Sequence, residues 1–207
     1  MAKQAYVYSG TDWVPLASEV TNLSGYYTKG EVDNLISPMG LVYISTTTVG
    51  SAVSTISLPT GTFTSTYDSY RVIFDASTTT AVSSTAVRFK FRASGVDDST
   101  ATSYNHTGFI ATSSALSLNN DSSTHSFCGS FLDATPQRFA TQIDLHGIAL
   151  AKETKFFCEG GMMDGGTRRN ITSYGFHNVQ TAFDSMTFNL DSGTITGGKI
   201  RVYGFKN

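Results

Sequence analysis

The chain has 207 residues and a formal net charge of −2, and serine and threonine account for 55 of its residues. Charged residues make up only 14%, against about a quarter in an average soluble domain, so neutral hydroxyl groups replace charge on much of the surface. The charge balance argues against nucleic acid and anionic membranes as partners, because both require clustered Lys and Arg. The hydrophobic content of 40% is enough for a core, so we expect a folded chain.

No apolar stretch approaches the roughly 18 residues of a membrane-spanning helix, and the first ten residues lack the apolar region of a signal peptide. We therefore expect neither membrane insertion nor a signal peptide, and synthesis in a cytoplasm. The two cysteines, Cys128 and Cys158, form no CxxC motif. This spacing favours two buried free thiols over a disulfide or a zinc site.

The composition and the spacing of apolar residues change near residue 40, and residues 1–40 contain two small units. The first is a predicted β-hairpin, with a strand at Tyr6–Tyr8, a turn at Ser9–Asp12 and a second strand from Trp13 to Leu16. Pro15 indicates that the second strand is an edge strand, because proline cannot donate a ladder hydrogen bond.

The second unit is a predicted short helix over residues 29–36. Thr28 and Glu31 have the spacing of a capping box, and Pro38 ends the pattern. The apolar residues follow at helical spacing and form one stripe: Val32, Leu35 and Ile36. A helix of two turns is marginal in water by itself, so its stripe must dock either on the rest of the chain or on copies of itself around an axis.

Residues 41–207 read as β throughout, with short apolar or alternating runs separated by Gly, Asn, Asp, Ser and Thr. In the run from Ala86 to Arg92, apolar residues alternate with Arg and Lys, which is typical of an antiparallel strand with one solvated face. The number and regular spacing of the runs predict an antiparallel β-sandwich of jelly-roll type. The predicted strands are Leu41–Thr47, Ser51–Leu58, Tyr70–Ala76, Ala86–Ala93, Gly108–Thr112, His125–Leu132, Phe139–His146, Thr154–Glu159, Ile171–His177, Ser185–Leu190 and Lys199–Phe205.

The sequence offers little support for catalysis. Asp144 and His146 lie on one face of a predicted strand, but a metal needs a third ligand that the sequence does not identify, so we interpret them as exposed polar residues or cross-strand hydrogen-bonding partners. Arg168 and Arg169 are the only adjacent arginines and could hold an anion or solubilise a loop tip. No nucleophile motif, phosphate-binding loop or acid pair is apparent. We expect no enzymatic activity, no cofactor and no metal.

Two long polar segments, residues 99–106 and 118–125, are the candidate receptor-binding loops. They carry amides, carboxylates and an aromatic ring, which suit hydrogen bonding to sugars, with Tyr104 available for stacking. The same composition is also that of ordinary solvated loops. The candidate receptor residues are Tyr104, Asn105, His106, Asn119, Asn120 and Asp121.

Three parts of the chain resemble bacteriophage fibre-type virion proteins. The segment Ala5–Ser18 (AYVYSGTDWVPLAS) resembles the openings of phage fibres and other minor virion proteins, and Tyr27–Ile36 (YTKGEVDNLI) is similar to a linker that recurs in phage tail fibres. The β region resembles a domain found toward the C-terminus of such proteins. The segments that carry this resemblance are Thr66–Val72, Val87–Phe91, Tyr104-Asn105 and the C-terminal segment Gly193–Phe205.

The resemblance implies a homotrimer within the virion, attached to other virion proteins by residues 1–40 and presenting residues 41–207 to host-surface glycan or protein. It implies attachment through Tyr6, Tyr8, Trp13 and Leu16 and a trimer axis at Val32, Leu35 and Ile36. The chain lacks the long repetitive shaft of a tail fibre. The alternative is therefore a capsid or tail decoration or cement protein, or a short head fibre, without receptor binding.

Overall fold

The computed structural model describes residues 6–8, 10–15, 40–78, 85–131, 138–164 and 167–205. The chain divides into two units, Met1–Met39 and Gly40–Asn207. No helix in these described ranges is long and apolar enough to cross a membrane.

The first unit contains an antiparallel hairpin of β1 (Tyr6–Tyr8) and β2 (Trp13–Pro15), in which Tyr8 stands opposite Trp13. Gly10 has a φ of 96° in the connection between them, a conformation open to glycine because it lacks a Cβ atom. The predicted hairpin is therefore confirmed. The predicted helix over residues 29–36, the trimer-axis residues Val32, Leu35 and Ile36, and the attachment residue Leu16 lie outside the described residues.

The second unit is built from antiparallel strands. In chain order they are β3 (Leu41–Val49), β4 (Thr55–Ser57), β5 (Ser69–Thr78), β6 (Thr85–Ala93), β7 (Val96–Asp97), β8 (Tyr104–Thr112), β9 (Leu116–Ser123), β10 (Ser126–Phe131), β11 (Arg138–His146), β12 (Thr154–Asp164), β13 (Thr167–His177), β14 (Ser185–Leu190) and β15 (Ile195–Phe205).

These strands form two sheets. The large sheet has the order β3-β15-β5-β11-β12-β13-β8-β9, and the small sheet has the order β10-β6-β14-β4 with β7 paired to β6. All of these pairs are antiparallel. The mostly β, antiparallel class predicted from the sequence is confirmed, whereas the jelly-roll connectivity stays a prediction.

Aromatic side chains join the two sheets. The Phe74 ring of β5 lies 4.9 Å from the Phe188 ring of β14, and the Phe89 ring of β6 lies 5.3 Å from the Phe156 ring of β12. All four residues are almost fully buried, so the sheets share one core and are arranged like the layers of a sandwich. We call the face of the large sheet that points away from this core the outer face.

The alternation predicted for β6 is observed. Val87, Phe89 and Phe91 are fully buried, and the intervening cationic residues are partly exposed. The basic residues nevertheless find partners, because Arg88 pairs with Asp191, and Arg92 Nε lies 2.8 Å from Asp97 Oδ1.

Several strand boundaries differ from the prediction. β4 covers only Thr55–Ser57 of the expected Ser51–Leu58, and β8 begins at Tyr104 rather than Gly108. β7 and β9 were not predicted as strands. The sequence LSLNNDSS of β9 alternates apolar and polar residues only over its first four positions and is polar thereafter, so it does not predict an eight-residue strand. β9 is an exposed edge strand, and backbone pairing with β8 determines its conformation.

Candidate functional site

A cavity of about 730 Å³ opens across the neighbouring strands β13, β8 and β9. We call it the β8–β9 site. Its lining combines two aromatic rings with amide, hydroxyl, imidazole and carboxylate groups. The lining residues are Asn105, His106, Thr107, Asn120, Asp121, Ser122, Tyr174 and Phe176.

Strand pairing places the aromatic rings of this site on the outer face. In the register of the large sheet, Tyr174 stands opposite Thr107, and Phe176 stands opposite Asn105. Successive residues of a strand point to opposite faces, and Tyr174 and Phe176 are 64% and 41% exposed, whereas their neighbour His177 is fully buried. The rings are thus side by side on a paired strand and open to solvent.

Tyr174 is held in position by a second ring. Its centroid lies 4.6 Å from that of Phe157 on β12, at an interplanar angle of 34°. Such offset aromatic pairs stabilise a fixed ring orientation. The exposed part of Tyr174 therefore forms a preorganised apolar surface.

Hydrogen bonds within the sheet also orient the polar groups of the site. Asn105 Nδ2 donates to the Thr102 carbonyl at 3.1 Å and to the Ser103 carbonyl at 3.4 Å. Thr107 Oγ1 donates to Asn120 Oδ1, and Asp121 Oδ1 accepts the Ser122 backbone N–H at 2.8 Å. These bonds orient the side chains of the exposed edge strand β9, with Asn120 on the outer face and Asp121 on the face that it shares with His106.

His106 lies at the inner wall of the site. It stands opposite Asp121 in the β8–β9 pairing, its Nδ1 lies 3.4 Å from Ser126 Oγ, and its ring stacks on Phe127 with centroids 6.2 Å apart. Burial lowers the pKa of His106 below its usual value of 6.5, with the Asp121 carboxylate acting in the opposite direction. The imidazole is therefore neutral at neutral pH and acts as a hydrogen-bonding group rather than a charge.

The structure brings most of the predicted receptor residues together, but on strands. Asn105 and His106 belong to β8, and Asn119, Asn120 and Asp121 belong to β9. The loop prediction is wrong for residues 104–106 and 118–123, whereas residues 99–103 do lie outside the strands, and the connection between β8 and β9 is the short turn at residues 113–115. Paired strands hold these side chains more rigidly than a loop would.

Tyr104 is a further correction. It is fully buried, and its hydroxyl accepts the Phe91 backbone N–H at 2.7 Å and donates to the Asp98 carbonyl at 3.3 Å. Burial raises the pKa of Tyr104, which keeps the phenol neutral. A ring enclosed in the core cannot stack on a sugar, and the exposed rings of the site are instead Tyr174 and Phe176, which sequence reasoning missed.

Asp144 and His146, which share one face of a strand, form hydrogen bonds to residues of the neighbouring strand β5. The Asp144 carboxylate accepts two hydrogen bonds of 2.7 Å from Arg71, and His146 Nδ1 lies 2.9 Å from Ser69 Oγ. The interpretation of Asp144 and His146 as cross-strand partners is confirmed. Among the residues that the structure describes, no group of three or more His, Cys, Asp or Glu is placed to hold a metal ion.

The structure describes both cysteines and three of the four predicted attachment residues. Cys128 and Cys158 are buried free thiols, as predicted, and burial raises the pKa of the Cys128 thiol. Tyr6, Tyr8 and Trp13 lie on the β1–β2 hairpin.

Comparisons with known proteins place few constraints on this chain. No protein-family model and no curated protein matches it. A solved structure described as the CBM2 module of Lactobacillus casei BL23 phage J-1 evolved Dit is similar to it at a TM-score of 0.22 and 10% sequence identity, over 74% of this chain and 70% of that chain.

Proposed function

We propose that this chain is a non-enzymatic bacteriophage virion protein of fibre type, made in the host cytoplasm, whose β domain binds a glycan of the host surface. Residues 1–40 attach it to other virion proteins and form a homotrimer, and residues 41–207 form a sandwich head of jelly-roll type. The sequence of the β1–β2 hairpin and the segment Tyr27–Ile36 support attachment through their resemblance to phage fibres. The proposed function involves no cofactor and no metal.

The observation that carries glycan binding is the exposed pair Tyr174 and Phe176 beside the polar groups of β8 and β9. A sugar ring has an apolar C–H face surrounded by hydroxyl groups, so it needs an apolar surface with hydrogen-bonding groups at its margin. The aromatic pair supplies that surface, while Asn120 and Ser122, which lie in register with the two rings across β8, supply donors and acceptors. Because these groups lie on paired strands, little ordering cost opposes binding.

The test compares adsorption of the purified full chain to host cells for wild type, Tyr174→Ala and Tyr43→Ala. Tyr43 is the matched control, because it is also an exposed tyrosine on the large sheet, on β3 at the opposite edge. We expect Tyr174→Ala to weaken adsorption about tenfold, which corresponds to about 1.4 kcal/mol, and Tyr43→Ala to leave it unchanged. Equal adsorption by all three proteins would show that the β8–β9 site is not the receptor site.

The trimer is tested separately by the mass of the full chain in solution. We expect light scattering at micromolar concentration to give three chains per particle, because three copies bury the stripe of Val32, Leu35 and Ile36 around an axis. A monomer would contradict this assignment without affecting the glycan site.

A decoration protein without receptor binding is the second candidate, and the edge strand β9 favours it. Leu116 and Leu118 are 69% and 70% exposed on the last strand of the large sheet. An edge strand with exposed apolar side chains is suited to packing against another subunit. Imaging of intact particles distinguishes the two functions, since a receptor-binding head projects freely and a decoration protein has β9 covered by a neighbour.

A further inference from the structure

The outer face of the large sheet carries a second feature, a concentration of positive charge. Arg138 on β11, Arg168 on β13, and Lys199 and Arg201 on β15 line two adjoining cavities of about 410 and 300 Å³, and Arg138 and Asp75 contribute to both. We call these four cationic residues the basic cluster. Arg138, Arg168 and Lys199 are exposed and Arg201 is half-buried, so the cluster is accessible in a chain whose net charge is −2.

Small residues form the floor between these cations. Asp75, Ala140, Gly161 and Asn170 follow one another across four paired strands. A Cβ atom added to Gly161 would meet nothing closer than Asn170 Oδ1 at 3.5 Å. The sheet surface is therefore low here and leaves a trough, with the amide of Asn170 at one end.

The charge of the basic cluster is only partly compensated. Other arginines have individual carboxylate partners, as Arg71 has in Asp144 and Arg92 has in Asp97. Among the described residues that line the two cavities, Asp75 is the one carboxylate, and it faces Lys199 across the β5–β15 pairing. Glu159 also faces outward on β12, two residues and roughly 7 Å from Gly161, so two carboxylates oppose the four cations. The trough keeps an excess of positive charge.

The cations lie on alternate strands of the sheet, and Lys199 stands level with Ala140, two residues along β11 from Arg138. One strand, β5, separates β15 from β11, and one strand, β12, separates β11 from β13. Two strand spacings amount to about 10 Å. A polymer that carries an anionic group on every second sugar presents its charges at comparable intervals, and a guanidinium group binds a carboxylate, sulfate or phosphate through paired hydrogen bonds.

We propose that the basic cluster is a second binding site, for an anionic glycan whose sugars carry carboxylate, sulfate or phosphate groups. The site is separate from the β8–β9 site and does not depend on it. A glycan fits better than a nucleic acid, because sequence-independent duplex binding draws on about six to ten phosphate contacts, whereas the trough offers four cations opposed by two carboxylates.

The test measures binding of the full chain to dextran sulfate and to unsulfated dextran of the same length by isothermal titration calorimetry at low salt. We expect binding to dextran sulfate that weakens as salt is added, and none to dextran. Arg138→Gln and Arg168→Gln should each weaken binding about threefold, as expected for an exposed charge contact. Asp75→Asn should strengthen it, because it removes the opposing charge.

Lys152→Gln is the matched control, since it removes one exposed positive charge at the turn between β11 and β12, at the other end of those strands. It should leave binding unchanged. Thermal unfolding of every variant verifies that it is folded. Equal binding of both dextrans, an equal loss in Lys152→Gln, weaker binding by Asp75→Asn, or tighter binding of a DNA duplex of matched charge would each overturn the proposal.

Discussion

Tyr104 and Tyr174 are the same residue type in adjacent paired strands, yet one is buried and the other is 64% exposed. Tyr104 stands opposite His177, and Tyr174 is three residues from His177 on the same strand. Directly opposite residues share a face, and an odd separation along a strand reverses it. The parity of the register, rather than the residue type, decides which tyrosine packs in the core and which is available to a ligand.

The buried hydroxyl of Tyr104 is predicted to contribute to the stability of the fold. Tyr104→Phe leaves the Phe91 backbone N–H without its acceptor inside the core, which should lower the free energy of unfolding by about 1–3 kcal/mol. Urea denaturation measures the change. Tyr43→Phe is the control, since the Tyr43 hydroxyl donates to Thr46 Oγ1 at an exposed position and its loss should cost little. Equal losses in the two variants would contradict the role of the Tyr104 hydroxyl.

At the scale of elements, β13 connects the β8–β9 site to the core. Gly175 lies between the exposed residues Tyr174 and Phe176 and faces inward, where a Cβ atom would approach Phe156 Cζ to 2.2 Å and the Asn105 carbonyl to 2.5 Å. The absence of a side chain therefore allows the Phe156 ring to pack directly beneath the site. The same ring contacts Phe89 of the small sheet, so the geometry of the site depends on the packing of the two sheets.

Gly175→Ala tests this dependence. We expect a loss of roughly 1–3 kcal/mol in the free energy of unfolding because the added methyl group overpacks the core, with weaker adsorption to host cells because the backbone of Tyr174 and Phe176 must shift. Gly197→Ala is the control, since nothing lies within 4 Å of its added Cβ, and it should leave both quantities unchanged or raise stability slightly. Wild-type stability in Gly175→Ala would show that Phe156 adjusts without cost.

The elements differ in how well their sequences predict them. The alternation of β6 and the turn of the β1–β2 hairpin are local signals, and both predictions are confirmed. β9 has only a short alternation at its start because both of its faces meet solvent, and its strand conformation comes from backbone hydrogen bonds to β8. The sequence therefore contains no signal that groups Asn105 and His106 with Asn120 and Asp121, although the chemistry of each residue makes it a candidate.

At the scale of the whole molecule, histidines lie in or beside the layer between the two sheets. His177 is fully buried, with its ring 4.3 Å from Tyr104 and 5.4 Å from Phe91, and its Nε2 lies 3.3 Å from Asp98 Oδ2. Burial lowers the pKa of His177, and the Asp98 carboxylate opposes this shift. Burial also lowers the pKa values of His106 and His125. All three are thus more easily protonated in the unfolded chain.

This difference predicts a loss of stability in mild acid. A histidine whose folded pKa lies below its unfolded value of about 6.5 binds more protons when unfolded, so the free energy of unfolding falls as pH decreases through 6.5 and levels off below the folded pKa. Each pKa unit of difference contributes about 1.4 kcal/mol. Urea denaturation at several pH values between 7 and 5 should show this decline, and His177→Gln should reduce its slope. Constant or rising stability toward pH 5 would contradict the prediction.

The basic cluster shows most clearly what depends on the whole molecule. Its members come from residues 138, 168, 199 and 201, and only the strand order β15-β5-β11-β12-β13 brings them to one trough. The sequence singled out Arg168 because of its neighbour Arg169, but it contains no local signal that associates Arg168 with Lys199.

The sequence by itself determined the β class, the N-terminal hairpin and the inward face of β6, because each depends on the period of apolar residues or on turn chemistry within a short segment. It also indicated the free thiols, because the two cysteines are few and far apart in the chain. The tertiary structure alone decided that Tyr104 is a core residue, that Tyr174 and Phe176 face solvent beside Asn120 and Ser122, and that four cations share one trough. The physical reason is that the register between strands distant in the chain is set by nonlocal pairing and by burial against the second sheet, and a shift of one residue would exchange the two faces.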